Sequence, residues 1–100
     1  MKTIEIFKAL ANKNRLQIIF WLRNPEDYFV HESGVDMREV GVCVSEIQRL
    51  LGLTQSTTSH YLSMMSQADL LIVTRIGKWT YYRRNEETIA KLQDYIGQEL

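Results

Sequence analysis

One cysteine and one proline are all that this 100-residue sequence contains of either, and its 12 basic and 12 acidic side chains cancel to no net charge. Each scarcity excludes something. Cys43 alone cannot close a disulfide within the chain, which agrees with a reducing compartment. No apolar run approaches the roughly 20 residues needed to cross a bilayer. The opening MKTIEIFKALANKNR does not read as a secretory signal, because Glu5, Lys8 and Asn12 interrupt any hydrophobic region. A cytoplasmic protein is expected. An enzyme is the poorest reading: Cys43 has no plausible triad, His31 and His60 lie on different segments, and no phosphate-binding glycine loop occurs.

What is present is an apolar fraction of 45%, enough for one globular domain over residues 1–100. The cancelling charges are segregated. Residues 1–25 carry five basic side chains against Glu5, a net +4, and residues 49–84 carry Arg49, Arg75, Lys78, Arg83 and Arg84 against Asp69, again net +4. Residues 26–46 are net −5 and residues 85–100 net −3. Because exposed charges act over about 10 Å at ordinary salt, the basic segments can attract a phosphate backbone although the total is zero.

Periodicity divides the chain further. Ile4, Phe7, Leu10 and Ala11 fall at helical spacing, and Asn12 is placed to cap a second helix, LQIIFWL, that ends before Pro25. Residues 25–41 show no period and form an acidic, irregular stretch. SEIQRLL reads as a short helix stopped by Gly52, and Thr54 as the cap of the next, so that two closely joined helices suggest a helix-turn-helix. LLIVTRI and WTYYRR are rich in β-branched and aromatic residues and flank Gly77-Lys78, as a two-residue hairpin does. Trp79 and Tyr81 alternate with Thr80 and Tyr82, so one aromatic pair is expected on the core. Asn85 caps a last helix, with Ile89, Leu92, Tyr95 and Ile96 as its apolar positions. The fold class is therefore mainly α with a β-hairpin wing, a winged helix-turn-helix.

The fourth predicted helix, LTQSTTSHYLSMM, is unusual. It carries six serine and threonine hydroxyls, a glutamine and a histidine, and no lysine, arginine or carboxylate. A solvated helix face ordinarily uses Glu, Lys and Arg, which favour the helix, whereas Ser and Thr compete for its backbone. Ser56, His60, Ser63 and Gln67 share the side away from Thr58 and Leu62. Short hydroxyl, amide and imidazole groups reach base edges and phosphate oxygens when a helix lies in a DNA groove. The plainer alternative is an exposed Ser/Thr-rich helix, with Gln55, Ser56 and Thr57 serving only its cap.

FKALANKNRLQIIFWL, VCVSEIQRLLGLTQSTTSHYLSMMSQADLL and VTRIGKWTYYRR, in that order, resemble the ArsR/SmtB family of bacterial winged-helix repressors, outside residues 25–41. The resemblance implies a dimer packed through its first and last helices, which meets successive major grooves of a pseudo-palindromic operator on double-stranded DNA and is released by an effector. Ile4, Phe7, Leu10, Ile89, Leu92, Tyr95 and Ile96 supply more apolar surface than two terminal helices need for one core, and are the candidate dimer interface. Gln55, Ser56, Thr57, Ser59 and His60 match the family positions that face DNA, and Ser63 joins them on the helical wheel. Arg75 and Lys78 flank the hairpin turn, where a wing reaches the minor groove or its phosphates. Arg49, Arg83 and Arg84 are weaker candidates for backbone contacts. Where family members often carry Arg-His, this chain has His60 and Tyr61.

The signal is less legible. Many family members read Cys-Val-Cys where this chain has Cys43-Val44-Ser45, and a hydroxyl is a poor ligand for the soft ions that such thiolate pairs hold. The last helix has no histidine for the family's other metal site. No metal or cofactor is expected, although His31, Glu32, Asp36 and Cys43 could converge on a borderline ion such as zinc in a spacing that matches no standard pattern. Cys43 is a possible redox sensor, with a small buried side chain as the alternative. Residues 25–41 read as an atypical acidic surface insertion. A competing function is a protein-interaction module that acts through it.

Overall fold

The computed structural model describes residues 1–30 and 34–100. Helix α1 (Thr3–Leu10) and helix α2 (Lys13–Arg23) form the N-terminal pair, followed by a single 3-10 turn, Pro25–Asp27. Strand β1 (Val42–Cys43) leads into helices α3 (Val44–Leu51) and α4 (Gln55–Gln67), strands β2 (Leu71–Ile76) and β3 (Trp79–Arg84), and helix α5 (Glu86–Glu99). No helix among the described residues is long and apolar enough to cross a membrane.

Three caps named from sequence are formed. Asn12 Oδ1 accepts from the Asn14 and Arg15 amides, Thr54 Oγ1 from the Thr57 amide and Asn85 Oδ1 from the Thr88 amide, each satisfying a helix-start N–H that has no partner within its own helix. The α1–α2 corner is held by a side chain that the sequence did not single out. Arg15 is buried, donates Nε to the Ala9 carbonyl at 2.6 Å and Nη2 to the Lys8 carbonyl at 3.1 Å, and so satisfies the open C-terminal end of α1.

The hairpin is as expected at its turn, where Ile76 faces Trp79 and Gly77 has φ +60°, the geometry of a two-residue turn with glycine first. The sheet, however, has three strands rather than two, in the order β1-β3-β2, all antiparallel. The third strand was missed because it is only two residues long, with Val42 opposite Tyr82 and Cys43 opposite Tyr81. Its approach depends on Gly41, at φ +123°: a Cβ there would lie 2.5 Å from the Tyr82 carbonyl oxygen.

One core joins all of these elements, with Ile6, Ile18, Ile47, Leu62, Met65 and Leu70 fully enclosed. Among the described residues of 25–41, Pro25, Phe29 and Met37 are buried and anchor the stretch, while most of the others are exposed. Phe29 meets Trp21 edge to face at 6.2 Å between ring centres, and buried Glu46 at the start of α3 accepts the Val30 amide at 3.1 Å. Its buried apolar side chains are spaced singly between exposed ones such as Tyr28 and Val30, so the stretch shows no period.

Candidate nucleic-acid interface

Helix α4 turns the side carrying Thr58, Leu62 and Met65 into the core, where Thr58 is 0% exposed and its hydroxyl donates to the Thr54 carbonyl at 2.8 Å. With that side fixed, the 3.6-residue repeat leaves Ser56, His60 and Ser63 exposed at i, i+4 and i+7. Gln55 and Ser59, one residue earlier in each turn, face the wing instead. They line a cleft of about 480 Å³ whose other wall is Arg75, Lys78, Trp79 and Thr80. Among the described lining residues Arg75 and Lys78 are the only charges, so the cleft between the chargeless helix and the wing carries its positive charge on the wing wall.

Thr57 spends its hydrogen-bonding capacity locally. Its amide donates to Thr54 Oγ1 at 3.1 Å, and the Thr54 hydroxyl donates to Thr57 Oγ1 at 3.0 Å. Thr57 is half-buried, so its first duty is the helix start. Ser63 Oγ accepts weakly from Gln67 Nε2 at 3.5 Å on the exposed surface.

The wing is stiffened from within. Arg75 Nη1 donates to Thr80 Oγ1 across the two strands at 3.3 Å, and Lys78 Nζ lies 5.5 Å from the centre of the Trp79 ring, within cation–π range. Burial raises the Tyr82 phenol above its ordinary pKa, and the nearby Arg75 guanidinium opposes this. Trp79 departs from the expectation of a core aromatic. Tyr81 is buried and Tyr82 packs against the core, whereas Trp79 is 50% exposed and lines the cleft. As the first residue after the turn it extends beyond the part of the sheet that the core covers, and that position was the available signal.

The other cations stand elsewhere. Arg49 pairs with Glu46 at 3.0 Å, and that hydrogen-bonded pair holds the Glu46 carboxyl below its ordinary pKa. Arg83 and Arg84 line a separate cleft beside α5. Cys43 Sγ lies 3.1 Å from Ser45 Oγ, and both border the cleft between α4 and the wing. His31 and Glu32 lie outside the described residues.

At the ends of the chain, Phe7 of α1 and Tyr95 of α5 meet at 6.4 Å between ring centres. Ile4 is 61% exposed and Ile96 47% exposed. Leu10 and Ile89 are half-buried against the core, and Leu92, 8% exposed, already belongs to it.

A helix pair with its second helix presented beside a cationic β-hairpin defines the winged helix-turn-helix class of DNA-binding protein. Residues 38–73 match the family described as "Bacterial regulatory protein, arsR family". Over 100 residues, all of both chains, the sequence is 50% identical to the "Uncharacterized HTH-type transcriptional regulator YbzH" of Bacillus subtilis. It is 29% identical over 86 residues to the "Arsenical resistance operon repressor" of the same organism, covering 86% of this chain and 69% of that one. The solution structure of the homodimeric winged helix-turn-helix DNA-binding domain of a possible ArsR-family regulator from Mycobacterium bovis superimposes with a TM-score of 0.68 at 27% identity, covering 96% of this chain and 75% of that one. The chain belongs to the ArsR family of bacterial regulatory proteins, and is a DNA-binding transcriptional regulator.

Proposed function

We propose that the protein is a cytoplasmic homodimeric repressor that grips a pseudo-palindromic operator on double-stranded DNA and releases it when an effector binds. The observation that carries this reading is the positive cleft in which Gln55 and Ser59 face Arg75, Lys78 and Trp79. Ser56, His60 and Ser63 enter the major groove and read base edges, Gln55 and Ser59 meet the adjoining backbone, and Thr57 holds the helix start in position. Arg75 and Lys78 contact phosphates on the minor-groove side. Ile4, Phe7, Tyr95 and Ile96 form the dimer surface with Leu10 and Ile89, while Leu92 supports it from behind.

Selection of bound sites from random duplex DNA tests the proposal. The expected result is two half-sites related by a dyad about one helical turn apart, roughly 10 base pairs centre to centre, with a dimer in sedimentation. Single half-sites bound by a monomer would overturn it. The protein-interaction reading has less behind it, because Phe29 is buried and leaves only Tyr28 and Val30 of the Tyr28-Phe29-Val30 run exposed.

A further inference from the structure

A small pocket of about 200 Å³ lies where the Met37 turn, strand β1, the start of α3 and the aromatic side chains of β3 come together. Val35, Met37, Val42 and Tyr81 give it an apolar lining, and the last three are buried. Val30, Val35 and Met37 belong to residues 25–41, the stretch in which this chain departs from the ArsR pattern. The pocket is therefore built in part by what is particular to this sequence.

Its size and charge define a ligand. An apolar cavity of about 150 Å³ already holds benzene, and sites for drug-sized ligands begin near roughly 300 Å³, so this pocket admits a single ring. Among the described lining residues Glu46 is the only carboxylate, and no lysine or arginine lines it. An organic anion would meet that carboxylate and no counter-charge. An organic cation fares little better: Glu46 is already committed to Arg49 at 3.0 Å and to the Val30 amide at 3.1 Å, and a charge taken out of water without a free partner is costly. An uncharged ring gives up only apolar hydration, and the Trp79 and Tyr81 rings offer it offset or edge-to-face contacts.

We propose that this pocket binds a small uncharged aromatic molecule, one ring with at most a short polar substituent, and that this is the class of effector to which the protein responds. Cys43, Ser45 and Trp79 line both the pocket and the cleft between α4 and the wing, so an occupant shares a wall with the DNA site. A ligand lowers operator affinity only if it binds the free protein better than the DNA-bound one. Trp79 supplies that difference, because a ring packed on it from the pocket competes with DNA for the position of the indole, and Lys78, 5.5 Å from the indole centre, moves with it. This regulatory role rests on the DNA-binding reading.

Calorimetric titration of the full chain with benzyl alcohol, benzoate, benzylamine and 1-naphthylmethanol, without DNA, tests the site. Benzyl alcohol is expected to bind one per chain, and the anion, the cation and the two-ring alcohol at least about tenfold more weakly. Val35→Phe, which puts a ring of its own into the lining, weakens benzyl alcohol at least about tenfold, and Val73→Phe, at an exposed position of β2 outside the pocket, changes it less than about twofold. If Val35→Phe fails to fold, Val35→Leu carries the comparison with a smaller loss. In a Trp21→Phe background, Trp79 emission shifts with the same midpoint. Absence of saturable binding, a charged analogue binding as tightly as benzyl alcohol, indifference to both Val35 variants, or unchanged Trp79 emission at saturation overturns the site. The selected operator is then titrated with and without saturating benzyl alcohol, and at least about fivefold weaker binding with it is expected. Operator affinity unchanged by a bound ring overturns the regulatory role and leaves DNA binding intact. A protein that selects no operator overturns the DNA-binding reading, while the titration without DNA still decides the site.

Discussion

The guanidinium carbon of Arg15 lies 5.2 Å from the centre of the Tyr61 ring, joining the corner between α1 and α2 to helix α4, the helix proposed to face DNA. The same side chain donates to the carbonyls of Lys8 and Ala9. Arg15 therefore sets the position of α4 relative to the N-terminal helices that are proposed to pair across the dimer. Arg15→Ala leaves two carbonyls at the end of α1 without their donor and removes the cation from the ring, a loss of about 2–3 kcal/mol. Thermal unfolding is expected to show Tm lower by on the order of 10 °C, and a drop of under 2 °C would rule out this role.

Gly41 makes the third strand possible. Gly41→Ala places a methyl group against the backbone of Tyr82 and forces a non-glycine residue into positive φ, at a cost of at least ~2 kcal/mol. Chemical denaturation measures it. Gly34→Ala is the useful comparison, since Gly34 also has positive φ but meets nothing within 4 Å, so the difference between the two variants isolates the contact with β3.

Much of this architecture was legible. Asn12, Thr54, Gly52, Gly77 and Asn85 mark element ends because capping and turn chemistry are local, and α4 is betrayed by a face without charge. Strand β1 was not, since two residues show no period and its pairing with β3 is a long-range choice. Arg15 was missed because its partners are backbone carbonyls, which carry no sequence signal. Residues 25–41 read as surface from sequence because their acidic composition hides the isolated Pro25, Phe29 and Met37 that reach the core.

Glu46 ties α3 to the Val30 amide and to Arg49. Glu46→Gln keeps the acceptor for Val30 but removes the charge, and because Arg49 is more than half exposed the loss at neutral pH is about 1 kcal/mol. Hydrogen bonding by Arg49 holds the folded-state pKa below the ordinary 4.5. A carboxylate depressed in this way contributes stability that is present above its unfolded value and disappears as pH falls through its folded value. Denaturation curves of the two proteins should therefore differ at pH 7 and converge as pH drops below about 4.5. A gap that widens in acid would contradict the assignment.

Trp79, half exposed beside Lys78, is placed to pack on the DNA backbone. Trp79→Ala is expected to change folding stability by only about 0.5 kcal/mol while weakening operator binding about tenfold, or 1.4 kcal/mol. In a Trp21→Phe background, emission from Trp79 should shift when operator is added. Unchanged emission at saturating DNA would place the ring outside the interface.

The central claim is that a chargeless helix reads the duplex while wing cations supply the hold. The slope of log affinity against log salt for the selected operator tests this most directly, in the wild type and in Arg75→Ala/Lys78→Ala. Four phosphate contacts per dimer predict that the double variant loses about 3–4 units of slope, at roughly 0.9 per contact, while preferring the same bases. An unchanged slope, or a changed base preference at an unchanged slope, would contradict the account.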